Sequence, residues 1–363
     1  MRLALTGGGT GGHILPALAV LEAVRKRAAV SPEVRFFGPE DRGERDIVES
    51  AGLQFETVPA AQIRGRNPLQ LVRSVWRLSV GTLSAARKLR AFRPDVVFST
   101  GGYGSFPCCL AARVLRTPLV VYLPDVEPGW AVKAEKRLAT RITTTTGAAL
   151  AFLPRAKTVV TGYPVRNAFF TTTRDAARQA LGFAAEERVV VIAGATQGAH
   201  AINQAVFRGL RDLVETCTVV HVTGTADYDD AAGFKSGLGE GLDNLYHVSP
   251  YRDDLATVML AADLAVMRAG ASVLGELPAA GLPSILVPAT YAGGHQRHNA
   301  AWLADAGAAI VLEEARLNEL INLALNLIED EPRLAAMRDA ATKLRRDDAA
   351  DAIATVIEGV AKQ

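Results

Sequence analysis

Short, almost wholly apolar runs recur along the chain, each followed by residues at helical spacing, and this alternation narrows the fold more than any other feature. The runs occupy residues 3–6, 34–37, 96–99 and 119–122, then 189–193, 219–223, 264–267 and 284–287. Strands that are apolar on both faces belong in parallel sheets covered by helices on each side. A glycine-rich turn follows a strand in both halves, from Gly7 to Gly12 and from Gly194 to Gly198, as if one nucleotide-fold plan were used twice. At 363 residues the chain is longer than one core usually supports. The expected fold is α/β, with two Rossmann-like doubly wound domains facing a cleft.

Gly162 and Pro164 interrupt any helix near residues 160–166 and mark the expected boundary. This gives domains at 1–161 and 162–344, with a helical tail, 345–363, that packs back onto the first domain.

Charge separates the halves. Up to Val165 there are 23 basic and 12 acidic residues, and beyond it 17 and 26, so the halves carry +11 and −9. The excess is concentrated in residues 57–94, which hold Arg64, Arg66, Arg73, Arg77, Arg87, Lys88, Arg90 and Arg93 and no acid. Leu69, Leu71, Val72, Val75, Trp76, Leu78, Val80 and Leu83 interleave them. A basic, apolar segment at 63–93 suits an anionic membrane surface, and it equally suits a core helix with solvated arginines. One aromatic before Phe92 and no recognisable motif argue against nucleic acid.

Cys108, Cys109 and Cys217 offer neither metal-ligand spacing nor a disulfide framework, which fits a reducing compartment. The opening residues MRLALTGGG enter a strand directly, and no apolar run reaches the roughly 18 to 20 residues of a membrane span. The expected location is cytoplasmic, or peripheral to a membrane. HExxH, CxxC and nucleophile-elbow patterns are absent, so no catalytic metal, resident cofactor or acyl-enzyme is expected.

The first turn, with Thr10, Gly11 and Gly12, exposes backbone amides at a helix start, where anions bind. His13 lies at that start, where the positive end of the helix disfavours imidazolium and a neutral ring can accept a proton from a hydroxyl. Gly7, Gly9 and Gly12 also satisfy the dinucleotide fingerprint, with Glu40 or Asp41 for the ribose, which keeps an NAD-dependent oxidoreductase open. Residues 100–107, including Gly102 and Tyr103, form another glycine-rich turn at the carboxyl edge of a strand.

In the second half, Thr196 and Gln197 lie in a turn offering amides and a hydroxyl to a phosphate. Residues 268–281 repeat the arrangement, with Arg268, Ala271 and Ser272 ahead of a helix, Ser272 as a plausible N-cap, and Glu276 one turn inside, where a carboxylate can accept from both ribose hydroxyls. The polar loop 288–299 carries His295, Gln296 and Asn299, which can hydrogen-bond neutral hydroxyls.

Taken in order, these motifs resemble the MurG family of UDP-N-acetylglucosamine transferases, which convert lipid I to lipid II in peptidoglycan synthesis. The resemblance covers nearly the whole chain. It rests on GGTGGH at 8–13, GGY at 101–103, GYPVR at 162–166 for a common GNPVR, TQGA at 196–199 for SQGA, ELPAAGLP at 276–283 and HQxxNA at 295–300. It implies a GT-B fold, an acceptor domain followed by a UDP-sugar domain, and a peripheral enzyme at the cytoplasmic face of the cell membrane. Glu276 would then hold the ribose, Gln296 the sugar hydroxyls, and Thr196 with Arg166 the diphosphate, with His295 a further donor-binding residue. Arg268, Ala271, Ser272, Gln197 and the Thr10–Gly12 turn would complete the donor set, and Gly102 and Tyr103 would meet the lipid-linked acceptor.

One departure stands out. Where the family has His-Glu-Gln-Asn, residues 122–127 read YLPDVE, so Asp125 or Glu127 joins His13 as a candidate base and Asp125 as an acceptor contact. The implied reaction is inverting transfer of N-acetylglucosamine from UDP-N-acetylglucosamine to the C4 hydroxyl of lipid I. A divergent glycosyltransferase with another acceptor, a nonhydrolysing UDP-sugar 2-epimerase and a noncatalytic membrane scaffold stay open.

Overall fold

The structure, a computed structural model, describes residues 1–8, 11–40, 43–61, 68–194, 198–290 and 294–362, with the backbone alone at 11 and 68–71. Among these residues the strands form two wholly parallel sheets. The first contains β1 (Arg2–Thr6), β2 (Glu33–Gly38), β3 (Gln54–Thr57), β4 (Val96–Ser99), β5 (Leu119–Leu123), β6 (Arg141–Thr144) and β7 (Thr158–Val160), in the order β3-β2-β1-β4-β5-β6-β7. The second contains β8 (Val189–Ala193), β9 (Thr218–Val222), β10 (Tyr246–Ser249), β11 (Leu264–Met267), β12 (Ser284–Leu286) and β13 (Ala309–Val311), in the order β10-β9-β8-β11-β12-β13. Every residue of β4, β5, β8, β9 and β11 is buried, as unbroken apolar runs require.

Each sheet reverses its strand order once, between β1 and β4 and between β8 and β11. In open α/β sheets the crevice outside the carboxyl ends at such a reversal is where ligands bind. Register brings the strand ends level: Thr6 pairs with Ser99, and Ala193 with Met267. The glycine-rich turns read from the sequence therefore leave from the two reversal points.

The chain divides into two compact units, Met1–Pro164 with Asp348–Gln363, and Val165–Asp347. The helix Ala349–Ala361 packs on the helix Gly11–Arg27 and on β4, β5 and β6. It buries Ile353, Ala354, Ile357 and Val360, while Arg27 pairs with Glu358 at 3.3 Å. In the other unit, Asp263 ties the amino ends of β8 and β11 together. It accepts from the Val189 amide at 2.9 Å and from Arg178 at 2.8 Å, and it pairs with Arg174 and Arg338. Among the described residues no helix is long and apolar enough to cross a membrane.

Candidate functional site

In the first unit, the turns after β1 and β4 lock together through Thr100. Its hydroxyl donates to the His13 carbonyl at 2.6 Å, and its own carbonyl lies 2.9 Å from His13 Nδ1. A carbonyl only accepts, so Nδ1 carries a proton, and in the neutral ring the lone pair is on Nε2. The side chain named as a base is thus held in the tautomer that can accept a proton. Gly102, at φ +88°, brings the second turn against the first: a Cβ there would lie 2.0 Å from the Gly8 carbonyl oxygen and 3.3 Å from His13 Cδ2. Gly11 and Gly12 open the helix that carries His13, and Tyr103 is half-buried beside Gly102. Thr10 and Asp41 lie outside the described residues.

The departure at 122–127 resolves into two groups. Tyr122 and Leu123 are wholly buried in β5, and the Tyr122 hydroxyl bonds Thr145 Oγ1 at 2.7 Å; burial holds the phenol well above its usual titration range. Asp125 and Glu127, half-buried in the following segment, are the members partly open to solvent, and Glu127 accepts from Lys133 Nζ at 2.8 Å. Glu40 bonds Arg45 and Thr57, which hold its carboxyl down at about 2.

In the second unit, Arg166 reaches Glu276. Its Nη1 donates to the Asp253 carbonyl at 3.1 Å, its Nη2 stands 3.9 Å from Glu276 Oε1, and its buried Nε has no partner among the described residues. Burial raises the Glu276 carboxyl above the usual range, opposed by the Ser272 hydroxyl and the Arg166 charge. Ser272 occupies the N-cap position of the helix Val273–Ala280 but corrects the expectation made for it. Its backbone is already helical, at φ −62° and ψ −30°, and its side chain caps no amide; the hydroxyl bonds Glu276 instead. Ala271 forms the turn just ahead of it.

Arg268, 6% exposed, is engaged by Glu314 at 3.2 Å on both terminal nitrogens and by the Val287 carbonyl. Gln296 pins the loop after β12 by accepting from the Ala289 amide at 2.9 Å, and Asn299 donates to the Ala269 carbonyl at 3.0 Å. His295 begins the helix His295–Asp305, with a buried Nδ1 that lacks a partner among the described residues. Thr196 and Gln197 lie outside the described residues. Gly198, the first described residue beyond them, has φ +79°, and a Cβ added there would lie 2.1 Å from the Thr223 carbonyl oxygen.

Two clusters were not anticipated. Beyond Gly198 a polar chain runs inward. His200 bonds Asp227 at 2.7 Å, Asp227 accepts from Asn203 at 2.7 Å, Asn203 meets His221 at 3.0 Å, and His221 meets Tyr246 at 2.8 Å. Burial pushes the His221 ring down to about 3, so it stays neutral. Beneath the Gly102 turn, Glu135 is buried against Ser99 and Ser105. Sequence spacing gave no sign of either, because their partners come from different β-α units.

Comparison with known proteins matches residues 3–144 to the glycosyltransferase family 28 N-terminal domain and residues 188–353 to its C-terminal domain. A relative from Halothermothrix orenii, a UDP-N-acetylglucosamine–N-acetylmuramyl-(pentapeptide) pyrophosphoryl-undecaprenol N-acetylglucosamine transferase, is 35% identical over 372 residues and covers 100% of each chain. Among solved structures, Acinetobacter baumannii MurG superposes with a TM-score of 0.75 at 23% identity, covering 99% of each chain. A UDP-GlcNAc 2-epimerase from Neisseria meningitidis superposes at 0.67 and 15% identity, covering 99% of this chain and 100% of its own. The two superpositions show the GT-B fold, which transferase and epimerase share. Sequence identity sustained from end to end separates them: the chain belongs to glycosyltransferase family 28 and, within it, to the MurG transferases.

Proposed function

We propose that the protein transfers N-acetylglucosamine from UDP-N-acetylglucosamine to the C4 hydroxyl of undecaprenyl-pyrophosphoryl-N-acetylmuramyl pentapeptide, with inversion at the anomeric carbon. Family membership supports the reaction, and the observation that carries the chemistry is the His13 tautomer fixed by the Thr100 carbonyl. In this reading Nε2 accepts the hydroxyl proton as the oxygen attacks, a step in which a positioned base contributes about 10²- to 10⁴-fold. The Gly102–Tyr103 turn receives the acceptor sugar, and Asp125 lies close in sequence to the buried end of β5 as a further contact.

On the donor side Glu276 accepts from the ribose hydroxyls. Its pairing distance of 3.9 Å to Arg166 leaves the guanidinium able to meet the departing diphosphate. Amides of the turns before the helices His200–Arg208 and Val273–Ala280 supply the remaining donors.

The helix Pro68–Phe92 supports docking to an anionic membrane surface. Its buried side carries Leu78, Ala85, Leu89 and Phe92, while Val72, Trp76, Val80 and Leu83 share the opposite, exposed face with Arg87 and Arg90, and Arg73 stands at its margin. A water-facing helix normally turns polar residues outward; this one turns out a tryptophan 67% exposed and a leucine 68% exposed.

The test is transfer of labelled N-acetylglucosamine to a lipid I analogue. Wild type should transfer, His13→Ala should lose about 10²-fold or more in kcat, and Glu276→Ala should raise the donor KM. Epimerisation of UDP-N-acetylglucosamine without acceptor-dependent transfer would overturn the assignment.

A further inference from the structure

The helix Trp130–Leu138 reads WAVKAEKRL, and its one acid, Glu135, is 0% exposed. It makes no ion pair among the described residues. Its Oε1 lies 2.6 Å from Ser105 Oγ and its Oε2 lies 3.1 Å from Ser99 Oγ, while Ser99 Oγ also accepts the Gly101 amide proton at 3.1 Å. Ser105 Oγ in turn stands 2.8 Å from the Gly102 carbonyl oxygen. Glu135's partners lie at the end of β4 and in the turn after it, which presses Gly102 against Gly8 and the His13 ring.

Counting hydroxyl protons distinguishes the two states of the cluster. Ser105 has one hydroxyl proton and two neighbours, a carboxyl oxygen and a carbonyl oxygen. If Glu135 is ionised, both neighbours only accept and one contact has no proton. If Glu135 is protonated on Oε1, one directed chain gives each serine contact a proton: Glu135 donates to Ser105, Ser105 donates to the Gly102 carbonyl, and Ser99 donates to Oε2.

We infer that Glu135 is a positioning residue that works as a neutral acid, holding the Gly102 carbonyl through Ser105 and thereby setting the turn against which His13 rests. This deepens the proposed function, since it rests on that turn being the acceptor side of the transferase.

The surroundings favour the neutral form. The helix Phe106–Leu115 brings the Cys109 thiol onto Glu135 and Ser99 and the Cys108 thiol onto Thr6; burial pushes Cys108 up to about 12 and Cys109 well above the usual thiol range, so both are uncharged. Lys88, from the helix Pro68–Phe92, is paired with Glu56 at 2.7 Å. On Glu135's own helix, Lys133 bonds Glu127 and Lys136 bonds the Phe152 carbonyl. His13 lies across the turn with its ring proton on the Thr100 carbonyl. Burial then lifts the Glu135 carboxyl to about 7, opposed by the two serines and Cys109.

The decisive experiment is kcat/KM for transfer to a lipid I analogue from about pH 6 to about pH 8.5, for wild type, Glu135→Gln and Ser105→Ala. Wild type should lose activity above about 7, where Glu135 ionises. Glu135→Gln, whose amide donates to Ser105 and accepts from Ser99 at any pH, should keep the low-pH activity across the range. Ser105→Ala, which breaks the relay without touching the acid, should start low and lack that alkaline limb. Parallel profiles for all three proteins would overturn the inference.

Infrared titration of the protein with ¹³C-labelled glutamate gives a readout independent of transfer. A protonated carboxyl signal present at about pH 6, fading through about 7 and absent from Glu135→Gln, is the expected result. No such difference would overturn the inference even in an active enzyme. Wild type without transfer, but with the infrared signal, would sink the functional reading and leave the protonated clamp standing.

Discussion

At the scale of single residues, the buried acid has a thermodynamic consequence separate from activity. The Glu135 carboxyl is raised from 4.5 to about 7 in the folded chain, so between those values the native state holds a proton that the unfolded chain releases. Its contribution is fully present below the unfolded value and declines as pH rises through the folded one. By linkage this amounts to roughly 3 kcal/mol. Urea midpoints at about pH 5 and about pH 8 should therefore fall further in wild type than in Glu135→Gln; equal falls would remove the linkage. Gly102 is the other single point of failure. Gly102→Ala forces a side chain onto a φ of +88° and into the Gly8 carbonyl, so it should cost roughly 1–3 kcal/mol and abolish transfer. The glycine was legible because GGY stands at a strand end. Glu135 was not: amid Lys133, Lys136 and Arg137 it reads as part of a solvated face, and only the folding of Ser99 and Ser105 over it reveals a buried acid.

At the scale of elements, the strands that could be read from the sequence are the ones buried on both faces. The expected runs correspond to β1, β2, β4, β5, β8, β9, β11 and β12, whereas β3, β6, β7, β10 and β13 add to the sheets without having announced themselves. β3, QFET, and β7, TVV, lie at one edge or the other of the first sheet, and β10 and β13 end the second. β6 lies inside the first sheet but reads RITT, with both threonines buried and the Thr144 hydroxyl donating to the Leu123 carbonyl at 3.3 Å. Apolar continuity is thus a signal of double-sided burial, not of strand formation. The helix Pro68–Phe92 shows the converse, since its apolar and basic composition was plain but its outward face needed the packing of Leu78 and Leu89 to define it. If that face meets anionic lipid, Trp76→Ala with Leu83→Ala should weaken binding to phosphatidylglycerol vesicles by roughly 3 kcal/mol or more. Arg73→Glu should cost about 1 kcal/mol or more and reduce the salt dependence. Flotation assays at several salt concentrations measure both, and unchanged binding in the double variant would exclude this face.

At the scale of the whole molecule, the two units use one plan and two different locks. Asp263 gathers three arginines at the amino edge of the second sheet, and the helix Ala349–Ala361 closes the first. Ile357→Ala, wholly buried in that helix, should destabilise the first unit by roughly 2–5 kcal/mol while sparing the second. Calorimetry resolving the two units should show one transition moving and the other fixed; a shift of both together would mean that they unfold as one. The closing helix also sets an order on biosynthesis. Domains usually fold as they emerge, earliest first. Here residues 1–164 leave the ribosome with one flank of their sheet bare, and the element that covers it is translated only after the entire second unit. The half that is made first is completed last, so the nascent chain carries exposed β4, β5 and β6 surface through most of its synthesis, a period in which a chaperone would find its binding site.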